Sequence, residues 1–248
     1  MKTAFQLARS IVFIIQMYVV MVVLAIIYLP WTLINKDGGF HAVHAYCNYV
    51  RWSARILIGL KTEVRGAVPV GETLVASKHQ SFLDIILITS VCPRPKFIMK
   101  KQLQYVPIIG WYGRCLGCVP VDRGKRGAAI QAMLKSVKSG RTPGGQLIIF
   151  PQGTRVAPGV YKPYKVGVGA LYSELGQTCV PTATNVGVFW ARHSLMRKPG
   201  VAVIEFLDPI VPGIGKSEFM QKIEAMIEPA SDALMAEAGF DANAKELS

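Results

Sequence analysis

Gln146-Leu147-Ile148-Ile149-Phe150 is the mostly apolar run that decides the fold, and it leads directly into Pro151-Gln152-Gly153-Thr154-Arg155. A short apolar run that stops at proline and glycine predicts a buried strand. Buried strands of this kind are typical of parallel sheets that are covered by helices. The hydroxyl and guanidinium groups that follow lie at the carboxyl end of the strand, where open parallel sheets usually bind ligands.

Similar runs lie on both sides of this strand and alternate with helical patterns. The predicted strands are residues 74–77, 96–99, 118–121, 146–150, 180–188 and 201–206. Between the third and fourth strands, Ile130, Met133, Leu134 and Val137 follow the i, i+3, i+4, i+7 spacing of an amphipathic helix, which Gly140 ends. Residues 216–238 predict an acidic amphipathic helix. The alternation predicts an α/β fold in which a mostly parallel sheet is flanked by helices.

The N-terminus predicts a membrane element. Residues 11–29 are apolar except for Gln16, and about twenty such residues can cross a bilayer as a helix. The run is too long for the core of a typical signal peptide, and Pro30-Trp31-Thr32 is not a small-residue cleavage site, so we expect a retained anchor. Residues 41–60 predict a second, amphipathic helix at the interface. A spanning helix and a hairpin inserted into one leaflet are both compatible with this pattern.

The charge is unevenly distributed. The chain has 28 Lys and Arg against 15 Asp and Glu, and residues 216–248 are net acidic while the anchored remainder is strongly basic. A basic surface beside an apolar anchor predicts contact with anionic lipid headgroups or phosphorylated substrates. Zinc-finger spacing, an aromatic RNA-binding motif and a long basic run are all absent from the sequence, so we expect no nucleic acid partner. Five cysteines make no disulfide framework and fit reduced thiols that face the cytoplasm.

Lys78-His79-Gln80-Ser81-Phe82-Leu83-Asp84 contains a histidine and a carboxylate five residues apart. On one continuous helix they would lie roughly 140° apart, on different faces. If the strand ends near Ser77 and a helix begins near Ser81, His79 precedes the helix and can fold back towards Asp84. The imidazole can then accept a proton while the carboxylate fixes its tautomer. Alternatively, Ser81 is an N-cap, Asp84 is favoured by the helix dipole, and His79 is an ordinary loop residue.

A second motif favours a ligand site. Arg155 can hold a phosphate through paired hydrogen bonds, assisted by the backbone amides of Gly153 and Thr154. Val121-Asp122-Arg123-Gly124 ends the preceding strand in the same manner and presents a second arginine. Two arginines at neighbouring strand ends predict an anion site.

Four segments together resemble a known family. His79-x4-Asp84 and residues 117–123, 150–155 and 180–182 match, in order and approximate spacing, the four blocks of the glycerolipid acyltransferases. Over residues 61–210 the chain is similar to the 1-acylglycerol-3-phosphate acyltransferases. The resemblance implies an α/β acyltransferase fold with an N-terminal membrane-embedded helical element at residues 1–60 and a catalytic domain at residues 61–248.

The resemblance also implies an activity. The acyl donor is acyl-coenzyme A or acyl carrier protein, the acceptor is the free sn-2 hydroxyl of 1-acylglycerol-3-phosphate, and the product is phosphatidic acid. No cofactor beyond the thioester co-substrate and no metal are expected. The enzyme would lie on the cell (inner) membrane with its catalytic domain facing the cytoplasm.

Residue roles follow from the matched blocks. His79 would deprotonate the acceptor hydroxyl and Asp84 would orient the histidine. The residues implied to bind the acceptor are Arg123, Gln152, Gly153, Thr154 and Arg155. Residues 180–182 would shape the acyl or thioester pocket. Lys165 is either a further phosphate contact or a solvated surface lysine, and both interpretations stay open.

One position departs from the family pattern. The third block usually has Glu where this chain has Gln152, so a carboxylate is replaced by a neutral amide. The acceptor headgroup is therefore the open part of the assignment, and a lyso-ornithine lipid is the alternative. Other enzyme classes are disfavoured: the sequence has no G-x-S-x-G, and Ile210 stands where a P-loop ending at Gly215-Lys216-Ser217 needs glycine.

Overall fold

The computed structural model describes residues 2–35, 37–122, 131, 134, 135 and 144–241. The strands are β1 (Leu60–Arg65), β2 (Thr73–Ser77), β3 (Pro95–Lys100), β4 (Val119–Val121), β5 (Gln146–Ile149), β6 (Cys179–Thr184) and β7 (Gly200–Phe206). The α-helices are α1 (Lys2–Ile34), α2 (Asp37–Ile58), α3 (Leu83–Val91), α4 (Pro107–Leu116), α5 (Gly167–Leu175), α6 (Val186–Phe189) and α7 (Lys216–Glu237), and Lys101–Tyr105 is a 3-10 turn.

The strands form one sheet in the order β1-β7-β6-β2-β5-β3-β4. Every neighbouring pair is parallel except β6 and β7, which are antiparallel. The predicted α/β fold with a mostly parallel sheet is therefore confirmed. The two strands that carry the histidine motif and the arginine loop, β2 and β5, are direct neighbours at the centre of the sheet.

Alternate residues of β2 face two separate hydrophobic cores. Val75 belongs to the core that α2 and α3 cover, whereas Leu74 and Ala76 belong to the core that α5 and α7 cover. This follows from the two-residue side-chain period of a strand. Because both faces are covered, β2 is buried along its whole length and its end is held rigidly.

Two predicted boundaries were wrong. Leu60 was expected to end the second helix but begins β1, an edge strand in which charged residues interrupt the apolar pattern. The run 180–188 was expected to be one strand, but β6 ends at Thr184 and α6 follows. The break lies at Asn185, whose side chain accepts a hydrogen bond from Val203 N at 2.7 Å and donates one to Leu234 O at 3.0 Å. The predicted C-terminal helix is confirmed as α7, whereas Ile130, Met133 and Val137 lie outside the described residues.

The N-terminal helix α1 is longer than the predicted apolar run and continues through Pro30. It packs on α2, and its polar Gln16 donates a hydrogen bond to Ser53 Oγ of α2 at 3.2 Å. Most of its other side chains are exposed and apolar, although Phe13 and Met17 are buried. Among the described residues, Thr3–Ile34 is the one helix that is long and apolar enough to cross a membrane, and its most apolar 18-residue stretch has a mean hydropathy of 2.8. These features indicate association with a membrane.

Candidate active site

The candidate site lies at the carboxyl ends of β5, β2 and β6, the three central strands. Parallel pairing places Ala76 beside Ile149 and Ser77 beside Thr182. Lys78 N extends this register by donating to Thr182 O at 3.0 Å. The segments that follow β2 and β5 therefore leave the same edge of the sheet side by side.

Asp84 folds the histidine loop around its own carboxylate. Its Oδ2 lies 2.9 Å from His79 Nδ1 and accepts hydrogen bonds from the backbone N–H groups of Gln80 and Ser81, both at 2.7 Å. Helix α3 begins at Leu83, so His79 precedes the helix and Asp84 lies in its first turn, as the spacing predicted. The pair is held together by the loop and not by a shared helix face.

Phe82, the residue before α3, already has helical dihedral angles. The Ser81 hydroxyl accepts a hydrogen bond from Leu83 N at 3.2 Å, which is the contact expected of an N-cap residue. The capping and dyad interpretations are therefore compatible, since the carboxylate that binds His79 also satisfies two amides ahead of the helix.

The imidazole of His79 is held by two contacts, to Asp84 and to Phe150. Its ring stacks on Phe150 with centroids 3.8 Å apart and planes 16° apart. The backbone carbonyl of His79 is fixed separately, because it accepts a hydrogen bond from Val156 N at 2.7 Å. An ionised Asp84 accepts hydrogen bonds only, so Nδ1 carries the proton and Nε2 carries the lone pair. Among the described residues Nε2 has no hydrogen-bond partner, and the side chain is 12% exposed. The arrangement can accept a proton from a substrate at Nε2.

The loop after β5 turns tightly beside this histidine. Gly153 has φ +69°, and its N–H donates to Phe150 O at 2.8 Å. A Cβ at this position would lie 2.9 Å from Lys165 Nζ and Cε, so the Lys165 side chain lies directly over the glycine. Lys165 N also donates to Pro151 O at 2.9 Å. The exposed Lys165 therefore borders the loop, and both interpretations of its ammonium remain available.

Arg155 is half-buried and lies near charges of both signs. Burial lowers the pKa of its guanidinium, nearby Arg192 lowers this pKa further, and Asp84 opposes both effects. Within the described part of the chain Arg155 forms no ion pair with a carboxylate. A guanidinium that is close to a second cation favours an anionic ligand. Arg192 was not predicted, because the turn that contains it has no recognisable motif.

The remaining predicted site residues differ in what surrounds them. Gln152 is fully buried, and its Nε2 donates to Glu228 Oε1 of α7 at 3.1 Å. Thr182, from the fourth block, is also fully buried, and its Oγ1 has no partner among the described residues. Arg123 lies outside the described residues, and β3 separates β4 from β5, so the strand ends that precede the two arginines are not neighbours as predicted. The structure thus brings His79, Asp84 and the arginine loop together, while the Gln152 side chain points towards α7, which contains none of the four blocks.

Among the described residues, a histidine whose Nε2 has no partner lies beside a guanidinium that has no ion-pair partner. This arrangement is suited to activate a hydroxyl on an anionic substrate. The Acyltransferase family model matches residues 61–185, about half of the chain. The chain belongs to this acyltransferase family, and the resemblance seen in the four blocks is confirmed.

Relatives with assigned names support the same conclusion. The chain is 27% identical over 192 residues to a 1-acyl-sn-glycerol-3-phosphate acyltransferase of Pseudomonas aeruginosa, a match that covers 75% of this chain and 74% of that protein. It is 28% identical over 185 residues to the enzyme of that name from Saccharomyces cerevisiae, with coverage of 72% and 60%.

A solved structure has the same fold. The crystal structure of the 1-acyl-sn-glycerophosphate acyltransferase PlsC from Thermotoga maritima superposes with a TM-score of 0.79 at 19% identity, covering 95% of this chain and 100% of that one. This similarity confirms the predicted fold, including a helical N-terminal element ahead of the sheet.

Proposed function

We propose that the protein transfers a fatty acyl group from acyl-coenzyme A or acyl carrier protein to the sn-2 hydroxyl of 1-acylglycerol-3-phosphate, which yields phosphatidic acid. The observation that carries the proposal is the His79–Asp84 pair at 2.9 Å, with Nε2 unpartnered among the described residues and the arginine loop beside it. The names of the relatives support the choice of acceptor.

In the proposed reaction, His79 Nε2 removes the proton of the acceptor hydroxyl as its oxygen attacks the thioester carbonyl. Asp84 stabilises the imidazolium that forms and holds its orientation. The tetrahedral intermediate expels the thiolate, which takes the proton from Nε2 and leaves as a free thiol. The ester forms in one transfer, so the enzyme itself is never acylated.

Acceptor binding is assigned to the loop after β5. Arg155 would hold the phosphate as a bidentate partner, and the Gly153 and Thr154 amides would add hydrogen bonds. Lys165, which lies over Gly153, is placed to add a further positive charge. Arg123 keeps its proposed acceptor-binding role from the second block, and Gln152 is proposed to act on the acceptor through the loop that it anchors.

We also propose that residues 1–60 anchor the enzyme to the cell (inner) membrane and that residues 61–248 act from the cytoplasmic face. The exposed apolar side chains of α1 and the basic charge of the anchored part support this location. A membrane-bound enzyme meets its lysolipid acceptor in the bilayer and its water-soluble thioester donor from the cytoplasm.

The test is an acylation assay on the purified full-length protein. Labelled acyl-coenzyme A or acyl carrier protein is offered with a panel of lysolipids that includes 1-acylglycerol-3-phosphate and a lyso-ornithine lipid, and the products are identified by mass spectrometry. We expect phosphatidic acid as the main product. Preferential acylation of the ornithine lipid would replace the proposed acceptor, and no acylation of any lysolipid would refute the proposal.

His79→Ala tests the proposed catalytic base in the same assay, and His41→Ala, a change at an exposed histidine, is its control. We expect His79→Ala to lower kcat by about 10³-fold or more, because general-base catalysis is lost. Binding of His79→Ala to lipid vesicles should be unchanged, since His79 is not one of the exposed apolar side chains of α1. A membrane-binding module without catalysis would show no difference between the two variants.

A further inference from the structure

Glu228 gathers three side chains at the edge of the candidate site. Its carboxylate pairs with Lys78 Nζ, accepts from Tyr164 OH at 2.8 Å and accepts from Gln152 Nε2 at 3.1 Å. These partners come from the end of β2, the segment ahead of α5 and the loop after β5. One carboxylate on α7 therefore ties together the segments that hold the histidine and the arginine.

Lys78 makes this carboxylate necessary. The Lys78 side chain is 3% exposed, and in the described part of the chain Glu228 is its one carboxylate partner within salt-bridge distance. A buried charge without a partner is strongly destabilising, whereas a paired one is tolerated. Because Lys78 directly precedes His79, its position also sets where the histidine loop leaves the sheet.

Gln152 gives the second connection. It is fully buried. In the chain it lies between Phe150, on which the His79 ring stacks, and the turn that leads to Arg155. Its Nε2 is oriented by Glu228, and its Oε1 has no partner among the described residues. Glu228 therefore acts on the two halves of the site at once, through Lys78 on one side and Gln152 on the other.

The local environment is polar but poorly solvated. Burial raises the pKa of the Tyr164 hydroxyl, and the nearby Glu228 carboxylate raises it further, so Tyr164 stays a neutral donor. The Glu228 side chain is itself 18% exposed. Gln80, the residue after His79, reaches the same helix through its contact with Met235 Sδ at 3.2 Å. Helix α7 thus contacts the histidine loop on both sides of His79, at Lys78 and at Gln80.

We infer that Glu228 is a positioning residue for acyl transfer, and that it supplies from α7 the carboxylate which this chain lacks at position 152. Through Lys78 and Gln152 it fixes the distance between His79 and Arg155. The inference rests on the proposed function, because its tests measure acyl transfer. It assigns part of the active site to a helix outside the region that the family model matches.

The first test compares Glu228→Gln with Glu224→Gln in the full-length protein. Glu224 lies one helical turn earlier and accepts its hydrogen bond from exposed Tyr161 OH, so it undergoes the same chemical change without a contact to Lys78 or Gln152 among the described residues. We expect Glu228→Gln to lower kcat about 10- to 100-fold, since small displacements of reacting groups are costly, with a smaller effect on KM for the thioester. Glu224→Gln should match the wild type.

The second test moves the carboxylate. Gln152→Glu combined with Glu228→Gln restores one negative charge beside Lys78, and we expect kcat to return to within a few-fold of the wild type. Gln152→Glu alone places two carboxylates beside one ammonium and should lower the melting temperature. If Glu228→Gln does not fold, Lys78→Met with Glu228→Gln removes both charges, and we expect a folded protein with reduced kcat.

The outcomes are distinguishable. The inference would be overturned if Glu228→Gln and the wild type had equal activity per folded molecule. It would also be overturned if the double variant Gln152→Glu, Glu228→Gln recovered no kcat relative to Glu228→Gln. If the wild type and Glu224→Gln were both inactive on every lysolipid, the proposed function would be overturned instead. Melting temperatures, measured on the same samples, separate lost folding from lost positioning.

Discussion

At the scale of single residues, Asp84 concentrates three hydrogen bonds on one carboxylate oxygen, from the His79 ring and two backbone amides. Its other oxygen is buried and has no partner among the described residues. Asp84 Oδ2 therefore both shapes the loop and fixes the tautomer of the histidine. Loop conformation and proton-accepting ability are coupled, because both depend on hydrogen bonds to this one oxygen.

Arg155→Ala tests the assignment of the acceptor phosphate. We expect KM for 1-acylglycerol-3-phosphate to rise about 10- to 100-fold, the usual effect of losing a hydrogen bond to a charged group, while KM for the thioester stays nearly constant. Initial rates over both substrate concentrations give the two constants. Arg65→Ala is the control, since Arg65 pairs with Glu63 and Glu237 at the edge of the sheet. A larger rise in KM for the thioester would remove Arg155 from the phosphate site.

The residues of the site differ in how well sequence predicts them. His79 and Asp84 were predictable as a pair, because both lie in one short segment between a strand and a helix. Glu228 was not, since it is 150 residues from Lys78 and lies on a helix whose acidic pattern is typical of a solvated surface. The packing of α7 against β6 and α5 brings the two together.

At the scale of elements, α1 has two different faces. Phe13 and Met17 are buried against the rest of the protein, and Ser10 exchanges hydrogen bonds with the Arg197 backbone. The opposite face presents aliphatic side chains to the surroundings. Composition predicted the apolar character of this helix, but its hydrogen bonds to the loop ahead of β7 depend on tertiary contacts that a local pattern does not contain.

Ile26→Lys tests the exposed face of α1. Ile26 is 65% exposed, and a lysine in the middle of an apolar membrane helix costs about 2.5–3.5 kcal/mol. We expect a smaller fraction of the protein to float with lipid vesicles, with activity in detergent retained. Val70→Lys, a change at a 72% exposed site in the catalytic domain, is the control. Equal flotation of Ile26→Lys and the wild type would show that this face does not contact lipid.

At the scale of the whole molecule, part of the charge asymmetry of the sequence is balanced by ion pairs within the protein. The acidic helix α7 folds back onto the basic part of the chain, where Glu228 pairs with Lys78 and Glu237 pairs with Arg65 at 2.8 Å. Its apolar face covers the second core through Phe219, Ile223 and Ile227. The helix is therefore an integral part of the fold and not a solvated tail.

Ile227→Ala measures how much α7 contributes to stability. The side chain is fully buried beside Glu228, and we expect the free energy of unfolding to fall by about 2–5 kcal/mol. Denaturant unfolding of the detergent-solubilised protein gives this value. Lys222→Ala, at an exposed position of the same helix, should change it by less than about 0.5 kcal/mol. Equal losses in the two variants would contradict the packing role of Ile227.

The central position of β2 has a consequence for biosynthesis. This strand pairs with β5 and β6 and with neither of its neighbours along the chain. A ribosome therefore releases the histidine loop long before the strands that enclose it, and α7 follows later still. Long-range pairing of this kind slows folding and exposes apolar strands meanwhile. The candidate site should consequently be complete only after α7 has left the exit tunnel.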